Sequence, residues 1–128
     1  MRVISWNIRR NPRCIDFAFD ELGADVLLTQ ESNTTNHAEF HSIGSQIDER
    51  WVKHKWGNVT FSRKELELIE INSEYSGSLH LTRFANGREK LGLVNIYGLF
   101  EKVSPDSRKK VVTPGIHRKL SDLSPFLL

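Results

Sequence analysis

The chain has 128 residues, with 18 Lys and Arg against 16 Asp and Glu and a formal net charge of +2. That length suits one domain, and a two-charge excess neither marks nor excludes a nucleic-acid binder. No apolar run approaches the ~18 residues that a membrane helix needs. The opening MRVISWNIRR has no apolar core of a secretory signal. The single Cys14 excludes an internal disulfide and a multi-cysteine zinc site, so the expectation is an intracellular, cytoplasmic protein of mixed α/β type.

Residues 2–8 (RVISWNI) predict a β-strand, with Val3, Ser5 and Asn7 on one face and Ile4, Trp6 and Ile8 on the other. Asn11-Pro12 predicts a helix start, Asn as cap and Pro in the first turn. Ile15, Ala18, Phe19 and Leu22 follow helical spacing, and Gly23 is a natural stop. Residues 25–30 (DVLLTQ) suit a buried, parallel strand, which makes the first thirty residues a βαβ unit. A polar loop from Ser32 to Asn36 leads to an expected helix reaching about Glu49, with Phe40, Ile43 and Ile47 as its apolar stripe. The middle reads as strands at 57–62, 65–71, 78–84 and 89–97, and Asn86-Gly87 predicts a two-residue hairpin because both residues tolerate positive φ. Residues 98–114 read as loop or short helix. A final helix is expected from near Gly115, with Ile116, Leu120 and Leu123 on one face, before the apolar ending SPFLL.

The pattern that points to chemistry is a pair. Asn7 ends the first strand and Glu31 ends the second, so two parallel neighbours bring both side chains to one carboxyl edge, where α/β sheets bind ligands. A carboxylate beside a carboxamide suits a hard cation such as Mg²⁺. The alternative is that Asn7 closes a turn and Glu31 is a solvated loop acid.

Trp6-Asn7-Ile8-Arg9 on the first strand, followed by the run from Ala24 and Asp25 to Gln30-Glu31, resembles the opening of the endonuclease/exonuclease/phosphatase (DNase I-like) superfamily of metal-dependent phosphoesterases. Trp56-Gly57-Asn58-Val59-Thr60-Phe61-Ser62-Arg63 is similar to that family's Gly-x-apolar-x-Ser-Arg strand. Leu93-Val94-Asn95-Ile96-Tyr97 is similar to the strand that delivers a Tyr or His to the site. The resemblance implies half of a four-layer α/β/β/α sandwich, a mixed sheet with flanking helices. It implies Glu31 as direct metal ligand and Asn7 as a residue of the metal shell and phosphate site. Tyr97 is implied as a hydrogen-bond donor near the scissile phosphate, and Gln30 as a structural neighbour. The implied cofactor is Mg²⁺, with Mn²⁺ as the alternative. The implied reaction is hydrolysis of a phosphate ester, DNA among the candidate substrates, with the metal polarising a phosphoryl oxygen.

The resemblance covers the family's N-terminal half. The Gly-Asp-x-Asn and Ser-Asp-His segments of its second half do not occur, and none of His37, His41, His54, His80 and His117 has the latter context. A single domain over 1–128, cut before its second catalytic half, is the resulting expectation. The readings that follow are a short enzyme, a remnant or interaction module without the water-activating groups, or one chain of a site completed by a second copy or partner. A lone half-fold is expected to leave the inner face of its sheet bare, and hence to self-associate or to take a missing partner chain.

Other features carry less. Arg9, Arg10 and Arg13 lie beside Asn7, and Arg108-Lys109-Lys110 follows Tyr97; both groups are compatible with phosphate contacts or with simple solvation. Trp51 and Trp56 are candidates for base stacking or for packing. His37 and His41 have a metal-compatible spacing on the expected helix, without the Glu of a His-Glu-x-x-His motif. Cys14 reads as an apolar thiol.

Overall fold

The computed structural model describes residues 1–47, 55–69, 77–86, 89–97, 101–102 and 110–111. Strand β1 (Val3–Asn7) lies parallel to β2 (Val26–Ser32), in a register running from Val3↔Val26 to Asn7↔Gln30. Helix α1 (Arg13–Asp20) makes the crossover, as the sequence predicts. Asn11 Oδ1 accepts a hydrogen bond from the Arg13 main-chain N–H at 3.2 Å, but the cap position itself falls on Pro12, which has no side-chain bond, one residue after the Asn11 that the sequence predicts there. Ile15, Ala18 and Phe19 are buried, whereas Leu22 falls beyond the last turn and stays 36% exposed. Gly23 follows at φ +64°, a left-handed conformation that lets the chain turn back toward β2.

β2 is buried on both faces from Val26 to Thr29, which is why it reads as an almost unbroken apolar run. It pairs antiparallel with β4 (Gly57–Ser62), and β4 pairs antiparallel with β3 (His41–Gly44), giving a mixed sheet in the order β1-β2-β4-β3. β3 overturns the helix expected up to Glu49. Phe40 packs with Phe19 on the α1 side, while Ile43 packs with the cluster on the opposite face of the sheet. Residues three apart share a helix face, but in extended chain they point to opposite faces. The apolar stripe is therefore two half-stripes serving two cores. Residues 48 and 49 lie outside the described part.

A second, antiparallel sheet follows, β5 (Leu66–Ile69), β6 (Leu79–Asn86) and β7 (Glu89–Ile96), in sequence order. β6 and β7 pair as far as Asn86↔Glu89, so the predicted hairpin forms, but Asn86 ends β6 as a paired strand residue and is not a positive-φ turn residue as the sequence predicts. Gly87 is outside the described residues. Two short strands, β8 (Glu101–Lys102) and β9 (Lys110–Val111), pair within the stretch expected as loop or short helix. The expected helix after Gly115 and the basic Arg108-Lys109 are also outside the described part.

The layers are helix, sheet, sheet. α1 closes one face of the first sheet, around Ile15, Phe19, Leu27, Val59 and Phe61. The Phe19 and Phe40 rings stack at 3.9 Å between centroids, with the Arg63 guanidinium 5.4 Å from each. On the other face Val26 and Leu28 meet Leu66 and Leu93 of the second sheet. This corrects the expectation of a bare inner face: the chain covers β2, β4 and β3 with its own β5–β7. A mixed sheet with one described helix is thus borne out, and the described residues include no fourth layer. The layer between the sheets is partly polar, with buried Asn58 and Thr60 on β4, His80 and Thr82 on β6, and Asn95 on β7.

Candidate active site

The carboxyl ends of β1 and β2 meet at one edge, and the two sequence-predicted residues there touch. Asn7 Nδ2 donates to Glu31 Oε1 at 3.0 Å. Tyr97, which follows β7 directly, donates from its hydroxyl to the same oxygen at 3.1 Å. The structure therefore brings together Asn7, Glu31 and Tyr97 from three strands of two sheets. Asn7 Oδ1 in turn accepts from the Arg9 main-chain N–H at 3.1 Å, which fixes which way its carboxamide faces. Tyr97 is held at its main chain by a bond from its N–H to the Ser78 carbonyl at 2.8 Å. At its ring, Trp56 packs edge-on at 5.1 Å between centroids, so Trp56 serves packing here. Trp51 lies outside the described residues.

The backbone is bent to make this edge. The β2–β4 register passes from Thr29↔Val59 to Ser32↔Gly57, so β2 spends one more residue than β4 over that interval. This is a β-bulge, the device by which strands re-aim a side chain. Within it Glu31 has φ +55°, in the left-handed region. Such a conformation costs a non-glycine residue about 1–3 kcal/mol and persists only where its surroundings hold it. Two main-chain bonds do so, Ile8 N–H to Gln30 O at 3.1 Å and Arg10 N–H to Glu31 O at 2.8 Å. Arg9 and Arg10, at φ +47° and +65°, form the matching left-handed turn at the end of β1. Their side chains are exposed, as is that of Arg13, and none makes an ion pair among the described residues.

Burial raises the Tyr97 hydroxyl above its ordinary pKa, and the hydrogen bond to Glu31 and that residue's charge push it further the same way. Tyr97 is thus kept protonated, a donor at neutral pH. Both donors fall on Oε1, and no hydrogen bond falls on Glu31 Oε2 among the described residues. One carboxylate with a free oxygen suits an ion that takes few protein ligands and keeps several waters, as Mg²⁺ does. It does not suit an ion needing a full protein cage: no cluster of three His, Cys, Asp or Glu side chains forms among the described residues. His37 is not on a helix. Its Nε2 lies 3.0 Å from Asp16 Oδ1, and His41 is exposed on β3, so the spacing of these two histidines makes no metal site. Cys14 is half-buried against the α1 core.

Asn95 has no functional part in the sequence reading and is central to the geometry. It is 1% exposed, and its carboxamide bonds across both sheets beneath the site. The signal was present in the strand LVNIY, where a carboxamide sits among apolar residues two positions before Tyr97. Gln30, expected as a structural neighbour, is one: its Nε2 donates to Ser5 Oγ at 3.2 Å and to Asn95 Oδ1 at 3.0 Å.

No protein family and no curated protein matches the sequence. Among solved structures, the chain is similar to the endonuclease domain of TRAS1, a telomere-specific non-LTR retrotransposon, with a TM-score of 0.65 at 12% identity. The match covers 98% of this chain and 54% of that one. The chain thus has a fold similar to that endonuclease domain, in keeping with the DNase I-like resemblance of its motifs, and it spans about half the length of that solved domain. No helix among the described residues is long and apolar enough to cross a membrane.

Proposed function

We propose that this chain carries the first half of a phosphoesterase site, one that hydrolyses a phosphate ester with Mg²⁺, or alternatively Mn²⁺, as the cofactor. The observation that carries the reading is the convergence of the Asn7 carboxamide and the Tyr97 hydroxyl on Glu31 Oε1, at the strand edge where this fold class binds ligands. Likeness to a nuclease domain supports phosphodiester hydrolysis as the class of reaction.

Glu31 is the residue that would hold the ion, through a carboxylate that Asn7 and Tyr97 fix from one side. When bound, the ion supplies Lewis-acid polarisation of a phosphoryl oxygen and neutralises charge developing on the leaving oxygen. Asn7 orients the Glu31 carboxylate, and the bond from the Arg9 N–H keeps the Asn7 amide from flipping. Tyr97 holds a proton at its hydroxyl, which it can offer to a phosphate oxygen once substrate competes with Glu31 for it. Arg9 and Arg10 follow β1 directly at this edge, with exposed cationic side chains in no ion pair among the described residues, suited to meeting a substrate phosphate; Arg13, on α1, lies beside Trp6 and Phe17.

A second reading has its own support. Among the described residues the side chains bonded to Glu31 are Asn7 and Tyr97, neither a carboxylate nor a histidine, no cluster of three His, Cys, Asp or Glu side chains forms, and the chain spans 54% of the solved nuclease domain. On this reading the chain is a half-site, completed by further protein or left inactive. Positioned acid–base groups contribute about 10²–10⁴-fold in rate, so the two readings differ by orders of magnitude. The experiment is hydrolysis of plasmid DNA, an abasic duplex and bis-p-nitrophenyl phosphate, with and without Mg²⁺, by wild type and Glu31→Ala. Mg²⁺-dependent activity lost in Glu31→Ala establishes the enzyme. No activity, with Mg²⁺ binding that Glu31→Ala abolishes in calorimetry, establishes the half-site. Absence of both overturns the proposal.

A further inference from the structure

Asn95 is a buried carboxamide with both its amino group and its oxygen hydrogen-bonded. Its Nδ2 donates to the Thr29 carbonyl at 3.1 Å and to the Val59 carbonyl at 3.2 Å, with Thr60 Oγ1 at 3.5 Å. Its Oδ1 accepts from Gln30 Nε2 at 3.0 Å. Thr29 and Val59 form the register pair at which the β2–β4 ladder slips into its bulge, and the Thr29 hydroxyl also donates to the Val59 carbonyl, at 2.8 Å. A bulge disrupts the ladder locally and leaves main-chain groups in need of partners. The second sheet supplies one, from a strand whose other inward residues include apolar Leu93. Burying an amide is costly unless it is bonded, and a same-sized apolar residue would take this partner from the Thr29 and Val59 carbonyls and from Gln30, so the placement answers a polar need at the bulge and not packing alone.

Two distances along the chain give the reason. The bulge that Asn95 braces contains Glu31, two residues past Thr29, and Asn95 itself stands two residues before Tyr97, on the same side of the strand. We infer that Asn95 is the positioning residue of the candidate site, a clamp between the sheets that sets both the direction of the Glu31 side chain and the point where the Tyr97 hydroxyl meets it. Gln30 extends the clamp to β1 through Ser5, so all three strands that carry the site residues are locked to one amide. The inference rests on the proposed function for the meaning of the site. It does not rest on it for the geometry, and the test needs no turnover.

The test is NMR of the chain labelled with ¹³Cζ-tyrosine at one neutral pH, where the Cζ shift reports the hydrogen bond of the hydroxyl. The chain has two tyrosines, Tyr75 and Tyr97, and Tyr97→Phe assigns the signals. In wild type the Tyr97 hydroxyl donates to Glu31 Oε1 at 3.1 Å. Asn95→Ala is expected to move the Tyr97 signal toward its position in Glu31→Ala, which lacks the acceptor, and Glu31→Ala added to it is expected to produce little further movement. Phe19→Ala, which weakens the core on the helix side, is expected to leave the Tyr97 signal in place. If Asn95→Ala lowers stability but leaves that signal at the wild-type position, Asn95 is an ordinary core residue and the inference fails. Should Asn95→Ala not fold, Gln30→Ala withdraws the donor to Asn95 Oδ1, to Ser5 Oγ and to the Leu28 carbonyl from a half-exposed position. A move of the Tyr97 signal in that variant toward its position in Glu31→Ala supports the clamp, and an unmoved signal overturns it. Absence of both hydrolysis and Mg²⁺ binding in the assays above, with the Tyr97 signals as expected, would overturn the proposed function and leave the clamp standing.

Discussion

Tyr97 and Glu31 are 66 positions apart in the sequence and lie in different sheets, yet the Tyr97 hydroxyl donates to Glu31 Oε1 at 3.1 Å. Tyr97→Phe keeps the ring and its edge-on contact with Trp56 and removes only that donor. On the proposed chemistry, kcat/KM for bis-p-nitrophenyl phosphate falls by about 10²-fold, the scale of one lost transition-state donor. Thermal stability changes little, because the phenol is only half-buried. Unchanged kinetics would remove Tyr97 from the site.

Asn7→Ala removes the 3.0 Å donor to Glu31 without touching the carboxylate. Residues that orient a metal ligand typically account for about 10–100-fold in metal affinity. Mg²⁺ binding by calorimetry is expected to weaken by about tenfold in this variant and to vanish in Glu31→Ala. Equal binding by wild type and Asn7→Ala would show that Asn7 only closes the turn at the end of β1.

His80 is buried between the sheets, neither ring nitrogen has a hydrogen-bond partner among the described residues, and burial lowers its pKa from 6.5 to about 4. The native state therefore keeps His80 neutral down to about pH 4, while the unfolded chain takes up the proton below 6.5. The stability tied to this group is complete above pH 6.5 and is lost as pH falls from 6.5 toward 4. The loss amounts to about 3 kcal/mol at 1.36 kcal/mol per unit. Urea midpoints at pH 7 and pH 4.5 are expected to differ less in His80→Leu than in wild type. Parallel pH dependence in the two proteins would show that His80 does not titrate this way.

Gly77 sits at φ +84°, and a Cβ there would run into the Gln46 main chain. Its carbonyl also accepts from the Asn58 N–H at 2.6 Å, which ties the start of β6 to β4. Gly77→Ala is expected to destabilise the chain by about 2 kcal/mol or more, from strain and collision together. Gly92→Ala serves as the comparison, since no atom of the described residues lies within 4 Å of where its added Cβ would stand and its φ is not positive; its melting temperature is expected to stay near wild type. Equal melting temperatures for the two variants would contradict the turn geometry.

Much of the site was legible because its first half is local. The alternation in RVISWNI, the cap and stripe of α1 and the apolar run of β2 each obey a short period that a reader can count. Two parallel strands joined by one helix then place Asn7 and Glu31 at the same edge. The motif that ends in Tyr97 named that residue without giving its distance. The stripe Phe40, Ile43, Ile47 misled because three-residue spacing is also what a strand shows when it feeds a core on each face.

By itself, then, the sequence determined the βαβ opening, the β6–β7 hairpin and the residue types at the strand ends, all set by interactions within a few positions of one another. The tertiary structure alone decided that β5–β7 cover the inner face of the first sheet, that β2 bulges at Glu31, and that Asn95 reaches Gln30 across 65 positions. Contacts between sheets follow no period along the chain. They are set by which side chains face one another once the layers close: Asn95 meets carbonyls and Gln30 there, while His80 in the same layer meets no hydrogen-bond partner among the described residues.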